Sequence, residues 1–393
     1  MESAPYRVYG EHLEPAALEQ MENACRLPVA VAGALMPDAH QGYGLPIGGV
    51  LATDNAVVPY AVGVDIACRM KLTVLDRPVS ALSTAQSELA RGIERETRFG
   101  VGAEFRERRE HPVMDADWSV SEVTARLRDK AWAQLGTSGS GNHFVEFGVL
   151  TVPEPLGRLT PGDYLALLSH SGSRGTGAAV ADHYSRVART RHRKLPHEFG
   201  HLAWLDLASH DGQAYWAAME LMGAYAAANH ALIHRSIART LGAQVLADVE
   251  NHHNFAWRER HLLPDRTERD VIVHRKGATP AGRDVLGIIP GSMATAGYVV
   301  RGRGAAASLR SAAHGAGRRM SRTQAKKIFR WDDVRRVLAE RRVTLLSAGL
   351  DEAPMAYKDI DEVMAAQTSL VDVVARFEPR IVKMAPAGER PED

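Results

Sequence analysis

The longest helical signal in the chain runs over residues 213–241, where Leu221, Met222, Tyr225, Leu232, Ile233 and Ile237 recur at helical spacing before Gly242. Such a segment must bury its apolar stripe along most of its length, so it is expected to be a core helix. Shorter helices are expected at residues 15–26, where Pro15 opens and Pro28 follows the end, and at 121–134, 332–342 and 361–376. Strands are expected at residues 29–35, 71–75, 143–150, 164–168, 270–274 and 298–301. Residues 50–53 and 56–60, joined by Asp54-Asn55, read as a hairpin. These elements follow no regular βαβ cadence, and neither a repeat nor a low-complexity linker divides them. The expectation is a mixed α/β fold, a single large domain over residues 1–393, and a chain 45% hydrophobic can supply its core.

Charge narrows the function. Lys and Arg number 48 against 47 Asp and Glu, so affinity for a polyanion must come from local asymmetry. One stretch supplies it: from Val285 to Trp331 there is no acidic residue, while Arg301, Arg303, Arg310, Arg318, Arg319, Arg322, Lys326, Lys327 and Arg330 are present. Cys25 and Cys68 are too few for a disulfide framework, which points to a reducing cytoplasm. The N-terminal residues carry no basic and apolar leader, and no apolar run reaches membrane-spanning length.

Inside the basic stretch lies His314-Gly315-Ala316-Gly317, where glycines let the backbone approach a ligand beside an imidazole. Such a histidine can be a base, a metal ligand or a nucleophile toward phosphorus. Four further polar clusters are Asp65-Ile66-Ala67-Cys68, Asn142-His143-Phe144-Val145-Glu146, His170-Ser171-Gly172-Ser173-Arg174 and His252-His253-Asn254. Strand alternation sets Asn142, Phe144 and Glu146 on one face and His143 with Val145 on the other. Each histidine alone reads as a structural residue. Together, one Asp, one Cys and three His make a candidate site for a transition metal or a metal pair, and ligand type alone suggests zinc. The glycine-rich residues 36–49 read as a functional loop. Residues 273–280 and Pro290-Gly291-Ser292-Met293 can hold phosphates or a base, yet no Walker A loop or dinucleotide fingerprint is present.

Taken in order, these blocks resemble the RtcB family of RNA ligases. The matching stretches are Met36-Pro37-Asp38, residues 62–68, Gly141-Asn142-His143-Phe144, residues 170–175, His253-Asn254, Arg275-Lys276-Gly277, residues 290–293, residues 314–322 and Ala356-Tyr357-Lys358-Asp359. The resemblance implies an enzyme that joins RNA 3′-phosphate or 2′,3′-cyclic phosphate ends to 5′-hydroxyl ends with GTP and manganese. His314 would be the nucleophile that becomes linked to GMP. Asp65, Cys68, His143, His170 and His253 would hold two Mn²⁺ ions, with Cys68 bridging. Asn142, His143, Phe144, Val145, Glu146, His253, Asn254, Pro290, Gly291, Ser292, Met293, His314, Gly315, Ala316, Gly317, Tyr357 and Lys383 would line the guanylate pocket. His253 is preferred to His252 because it directly precedes Asn254.

Arg174, Arg189, Arg191 and Arg318 are candidates for the RNA backbone, although the run from Arg186 to Lys194 reads equally as a solvated helix face. Ala67 and Arg69 stand where many members of that family have glycines, and Gly297 where many have a serine. Cleaved tRNA or ribosomal RNA is the expected substrate, and an activating protein partner is a further expectation. A metal-dependent phosphodiesterase or phosphatase, or a silent RNA-binding paralogue, are the alternatives. Oligomeric state cannot be read from the residues.

Overall fold

The computed structural model describes residues 3–389, so the ends of the expected 1–393 domain lie outside the described residues. Two large sheets carry the mixed α/β fold. The first has five strands in the order Tyr6–Val8, Ala30–His40, Ile47–Thr53, Glu268–Lys276 and Asn254–Leu262. The second has eight. Seven follow the order Leu286–Ile289, Gly297–Gly302, Val371–Met384, Phe144–Val152, Gly162–Ser171, Arg69–Leu75 and Val245–His252, and Thr344–Ser347 pairs beside Val371–Met384.

This second sheet curls until its two edges meet. The Asn251 side chain accepts from the Ile288 N–H at 2.9 Å and donates to the Thr279 hydroxyl at 2.7 Å, tying one edge strand to the other end of the sheet. Met70, Leu72, Leu150, Leu168, Val299 and Phe377 fill the concave face. The convex face, with Val145, Phe147, Leu165 and Leu167, is covered by the helix His210–Thr240 through Ile233 and Ile237. That helix is the one its apolar periodicity predicts. Its N-terminus is capped by Ser209, whose hydroxyl accepts from Gly212 N–H, and its end passes into Gly242 at φ +59°. No helix among the described residues is long and apolar enough to cross a membrane.

Three expectations need correction. Residues 50–53 and 56–60 form no hairpin, because Ile47–Thr53 already has neighbours on both edges; Ala56–Val57 pairs with Leu205–Asp206 instead. The helix expected at 361–376 stops at Ala365, and the β-branched run from Val371 inserts as a strand between Gly297–Gly302 and Phe144–Val152. Residues 36–40, read as part of a loop, extend the strand Ala30–His40 across a register shift. The helix Arg174–Arg191 and the strands Val245–His252 and Asn254–Leu262 had no clear periodic signal, and tertiary partners form them.

A chain of neutral polar groups binds the long helix to the strand Gly162–Ser171. His230 Nε2 lies 3.1 Å from the Ser171 carbonyl, which accepts only, so that nitrogen carries the proton. His230 Nδ1 then accepts from Ser169 Oγ at 2.7 Å, Ser169 accepts from His234 Nε2 at 2.7 Å, and His234 Nδ1 accepts from Thr73 Oγ1 at 2.7 Å. Each member is satisfied only while both imidazoles stay neutral. Burial pushes His230 down to about 3 and His274 to about 4, and lowers His234 well below the ordinary range. The unfolded chain takes up these protons first as pH falls below about 6.5, so the stabilisation is complete above that pH and is lost toward the folded values. Urea denaturation is therefore expected to show the unfolding free energy falling by more than about 2 kcal/mol between pH 7 and pH 4.5. A profile flat over that window would contradict it.

Candidate active site

Between the short helix Pro59–Val62 and the strand Arg69–Leu75 the chain makes a tight turn, closed by the Cys68 N–H on the Asp65 carbonyl at 3.2 Å. This turn puts a carboxylate and a thiol at one end of the curled sheet. Strand pairing brings the imidazoles to them. His170 lies opposite Met70 on one neighbour and Phe144 on the other, and His253 donates its N–H to the Cys68 carbonyl at 3.0 Å.

The donors converge at buried positions. Cys68 Sγ lies 3.1 Å from His170 Nε2 and 3.4 Å from His143 Nε2, His170 Nε2 lies 3.2 Å from His253 Nε2, and His143 Nε2 lies 3.1 Å from Asp65 Oδ2. His252 points elsewhere and packs on the rings of Phe255 and Trp257.

Hydrogen bonding fixes which nitrogen carries a lone pair. His170 Nδ1 is 3.1 Å from the Asn142 carbonyl and must donate to it, which leaves Nε2 bare and facing Cys68 and His253. Burial pushes His170 down to about 3, and burial with the surrounding imidazoles pushes His253 well below its ordinary value. Burial works against charge on Asp65, but the His143 contact, with Cys68 and Arg174, outweighs it and holds the carboxyl low. Asp65 Oδ1 also accepts the Ser173 N–H at 2.9 Å. Imidazole nitrogens crowded against sulfur and carboxylate are the donor set of a transition metal. Cys68, His143 and His170 alone offer three atoms within 4.8 Å of one another. The residues fit such an ion. Around Cys68 the remaining donors divide into Asp65 with His143 and His170 with His253.

His314 ends the short strand Ser311–Ala313 and stands between two clefts. The first includes Asn142, Phe144, Glu146, Ser292, Tyr357 and His314 in its lining. The second, about 1350 Å³, is bordered by Asp65, Cys68, Lys276, Arg318, Arg322 and the other side of His314. Asp38 Oδ2 lies 2.6 Å from His314 Nδ1 and accepts its backbone N–H at 3.2 Å. Asp38 is wholly buried, so the ring is clamped with its proton on Nδ1 and its bare Nε2 available. Gly317 makes room for the clamp, since a Cβ there would sit 2.2 Å from the Asp38 carbonyl oxygen.

Not every expected residue reaches these clefts. Asn142, Phe144 and Glu146 face the first cleft as alternation requires, and burial raises the Glu146 carboxyl well above its ordinary range. Residues 290–293 and 314–317 and Tyr357 line it too. Val145 does not: it is in the core under the long helix. Lys383 pairs with Val145 on that same convex face and lies over the Phe99 ring, while its neighbours Val382 and Met384 line the cleft. Asn254 borders the second cleft, where its amide is spent on the Gly277 N–H and the Asp65 carbonyl.

Arg174 is no surface cation. It is 1% exposed and donates to Thr137 Oγ1 and the Gly100 carbonyl. Arg189 and Arg191 are exposed on the helix Arg174–Arg191, Arg191 paired with Asp211. Arg318 joins both clefts, held by the Asp351 carbonyl and the Tyr357 ring. Asp38 was legible only as a member of Met36-Pro37-Asp38; nothing local marks it as the partner of a residue 276 positions away.

The family model described as "tRNA-splicing ligase RtcB" matches residues 20–122 and 107–384. The chain belongs to the RtcB family. It is 33% identical over 407 residues to the RNA-splicing ligase RtcB of Escherichia coli K12, covering 95% of each chain. It is 33% identical over 458 residues to the tRNA-splicing ligase RtcB of Nanoarchaeum equitans, covering 96% of this chain and 94% of that one. With the RNA-splicing ligase RtcB of Mycobacterium tuberculosis it shares 34% over 430 residues, 92% of this chain and 98% of that one.

Two residues give this RtcB-family turn its own construction. Ala67 adopts φ +57°, a left-handed conformation that costs a side-chain-bearing residue about 1 kcal/mol. Neighbours impose it: Ala67 N–H donates to the Asn254 carbonyl at 2.7 Å and its own carbonyl accepts from Arg69 Nε at 3.3 Å. Arg69, 6% exposed, also donates to the Gly223 carbonyl at 2.9 Å and pairs with Glu250. Arg69→Ala is expected to lower the unfolding free energy by about 2 kcal/mol, because two buried carbonyls lose donors and Glu250 keeps only Lys71 as an ion partner. Ala67→Gly is expected to change it by less than about 1 kcal/mol, since strain relief and backbone entropy offset. Urea denaturation measures both, and the reverse ranking would place the strain at Ala67 above the Arg69 network.

Proposed function

We propose that this protein is a GTP-dependent RNA ligase that seals RNA 3′-phosphate or 2′,3′-cyclic phosphate ends to 5′-hydroxyl ends through a GMP adduct on His314. Membership of the RtcB family supports ligation of RNA, and relatives named for RNA and tRNA splicing support cleaved tRNA or a similar broken RNA as substrate. The observation that carries the reading is the position of His314. Its ring is clamped by the buried Asp38, beside the donor cluster, between one cleft lined by Asn142, Phe144, Glu146 and the turn at residues 290–293 and a second with basic residues on its wall. Such a clamp, with the proton on Nδ1, points to Nε2 as the nucleophile.

In the first half-reaction His314 Nε2 attacks the α-phosphorus of GTP, the bond to the β-phosphate oxygen breaks, and pyrophosphate departs. Asp38 offsets the positive charge that develops on the imidazole. The buried Glu146 carboxyl offers the guanine edge a hydrogen-bond partner at the cleft floor. In the second, an oxygen of the RNA 3′-phosphate takes the GMP from His314, restoring the free imidazole. The RNA 5′-hydroxyl oxygen then attacks the activated 3′-phosphate, its proton is lost to solvent, and GMP leaves.

Asp65, Cys68, His143, His170 and His253 would hold the metal, two Mn²⁺ ions in this reading. Such a metal would supply charge neutralisation for the phosphates and an activated water for a cyclic phosphate end. Lys276, which burial pushes down to about 7, and Arg322 lie on the wall of the second cleft, where the RNA ends would enter. Because the site draws on residues from Asp38 to Tyr357 and on both large sheets, the chain is read as one domain.

Intact-mass measurement after incubation with GTP and Mn²⁺ tests the first half-reaction. A gain of one GMP is expected with wild-type protein and none with His314→Ala. Asp38→Asn should form the adduct at least about 100-fold more slowly, because an amide cannot balance an imidazolium. Hydrolysis of RNA ends by wild-type protein without any adduct would instead point to a phosphodiesterase.

A further inference from the structure

We propose that Tyr43 is a stacking platform for an unpaired RNA base at the mouth of the second cleft, continued outward by His201, Tyr60 and Arg189. The inference rests on the RNA-ligase reading and names where the substrate strand lies. Tyr43 is 66% exposed, the most exposed of the large hydrophobic side chains among the described residues, and it borders the cleft that reaches His314 and the donor cluster.

Its exposure is built in. Tyr43's own carbonyl accepts from Lys276 Nζ at 2.6 Å. On the preceding residue, Gly42 N–H donates to Gln20 Oε1 at 3.0 Å and the Gly42 carbonyl accepts from Gln20 Nε2 at 2.6 Å. Gln41 N–H is held by Glu14, a carboxylate also on the wall of this cleft. On the other side Gly44, at φ +72°, packs so closely that a Cβ would meet the His201 carbonyl oxygen at 2.8 Å. A backbone tied at four successive residues holds the ring toward solvent at little further entropic cost on binding.

The surroundings fit one ligand chemistry. The Tyr43 ring lies 5.8 Å from that of His201, His201 lies 4.7 Å from Tyr60, and the Arg189 guanidinium sits 5.7 Å from the Tyr60 centroid. Lys276 and Arg322 lie further inside. The cleft wall carries Lys276, Arg318 and Arg322 beside Glu14 and Asp65, with Arg322 paired to Asp351 and Glu352. An aromatic ledge leading from it suits a single strand, whose bases stack on side-chain rings while the phosphates meet the basic side chains. A base-paired duplex would hide the faces that such a ledge engages.

The test is fluorescence anisotropy with two labelled single-stranded RNAs, one ending in a 3′-phosphate and one in a 5′-hydroxyl, using wild-type protein, Tyr43→Ala and Tyr43→Phe. Thermal unfolding of the variants checks that they fold. Tyr43→Ala is expected to weaken binding of at least one RNA about tenfold or more, with Tyr43→Phe within about twofold of wild type. The strand affected identifies which end passes over the ledge. Replacing one nucleotide near that end by an abasic residue should weaken wild-type binding by a similar factor and Tyr43→Ala binding hardly at all. Equal binding of both RNAs by wild type and Tyr43→Ala overturns the inference and leaves the ligase reading standing. So does an equal loss for intact and abasic RNA at every position. Failure of the wild-type protein to bind either RNA overturns both.

Discussion

The active site depends on strand register. His170 faces the concave side of the curled sheet because it pairs with Met70 and Phe144, while its neighbour Ser169 faces the long helix and enters the His230 and His234 chain. A slip of one residue would exchange the two faces, sending a metal-type donor into the helix packing and a serine into the cleft. The same register places Glu146 beside Leu168 and Val382 on the cleft floor and sends Val145 and Lys383 outward. The hydrogen-bonded chain through His230 and His234 is thus the outer half of a device whose inner half is the site.

Burial gives the site its chemistry. Several histidines are held neutral by desolvation, and carbonyl acceptors at Asn142 and Ser171 decide which nitrogen keeps the proton. At His314 the deciding partner is a buried carboxylate, so that ring can accept positive charge without leaving an uncompensated cation in the interior.

Close packing shapes the site at two further places. At Ala67 a left-handed turn is held by a hydrogen bond from its N–H to the Asn254 carbonyl and one from Arg69 to its own carbonyl. At Gly297 the cleft wall is drawn in, since a Cβ there would approach Pro290 Cα to 3.3 Å. A side chain at that position would require Pro290 to give by a few tenths of an ångström.

By itself the sequence determined the long helix, most strands, and the ordered series of motifs that marks the family. Helical spacing and alternation are local properties, and motif order survives without coordinates. It also set Asn142, Phe144 and Glu146 on one face, because side-chain direction in a strand follows from parity alone. Tertiary structure decided what parity and composition cannot carry. Thr53 has both edges occupied, which removed the expected hairpin; Val371 found two strands to lie between, which turned an expected helix into a strand. Arg174 looked like a surface cation until its partners Thr137 and Gly100 closed over it. The pairing of Asp38 with His314, and the exposure of Tyr43 beside His201, join residues far apart in the chain. Such contacts arise from how sheets curl and loops dock, and no local pattern encodes them.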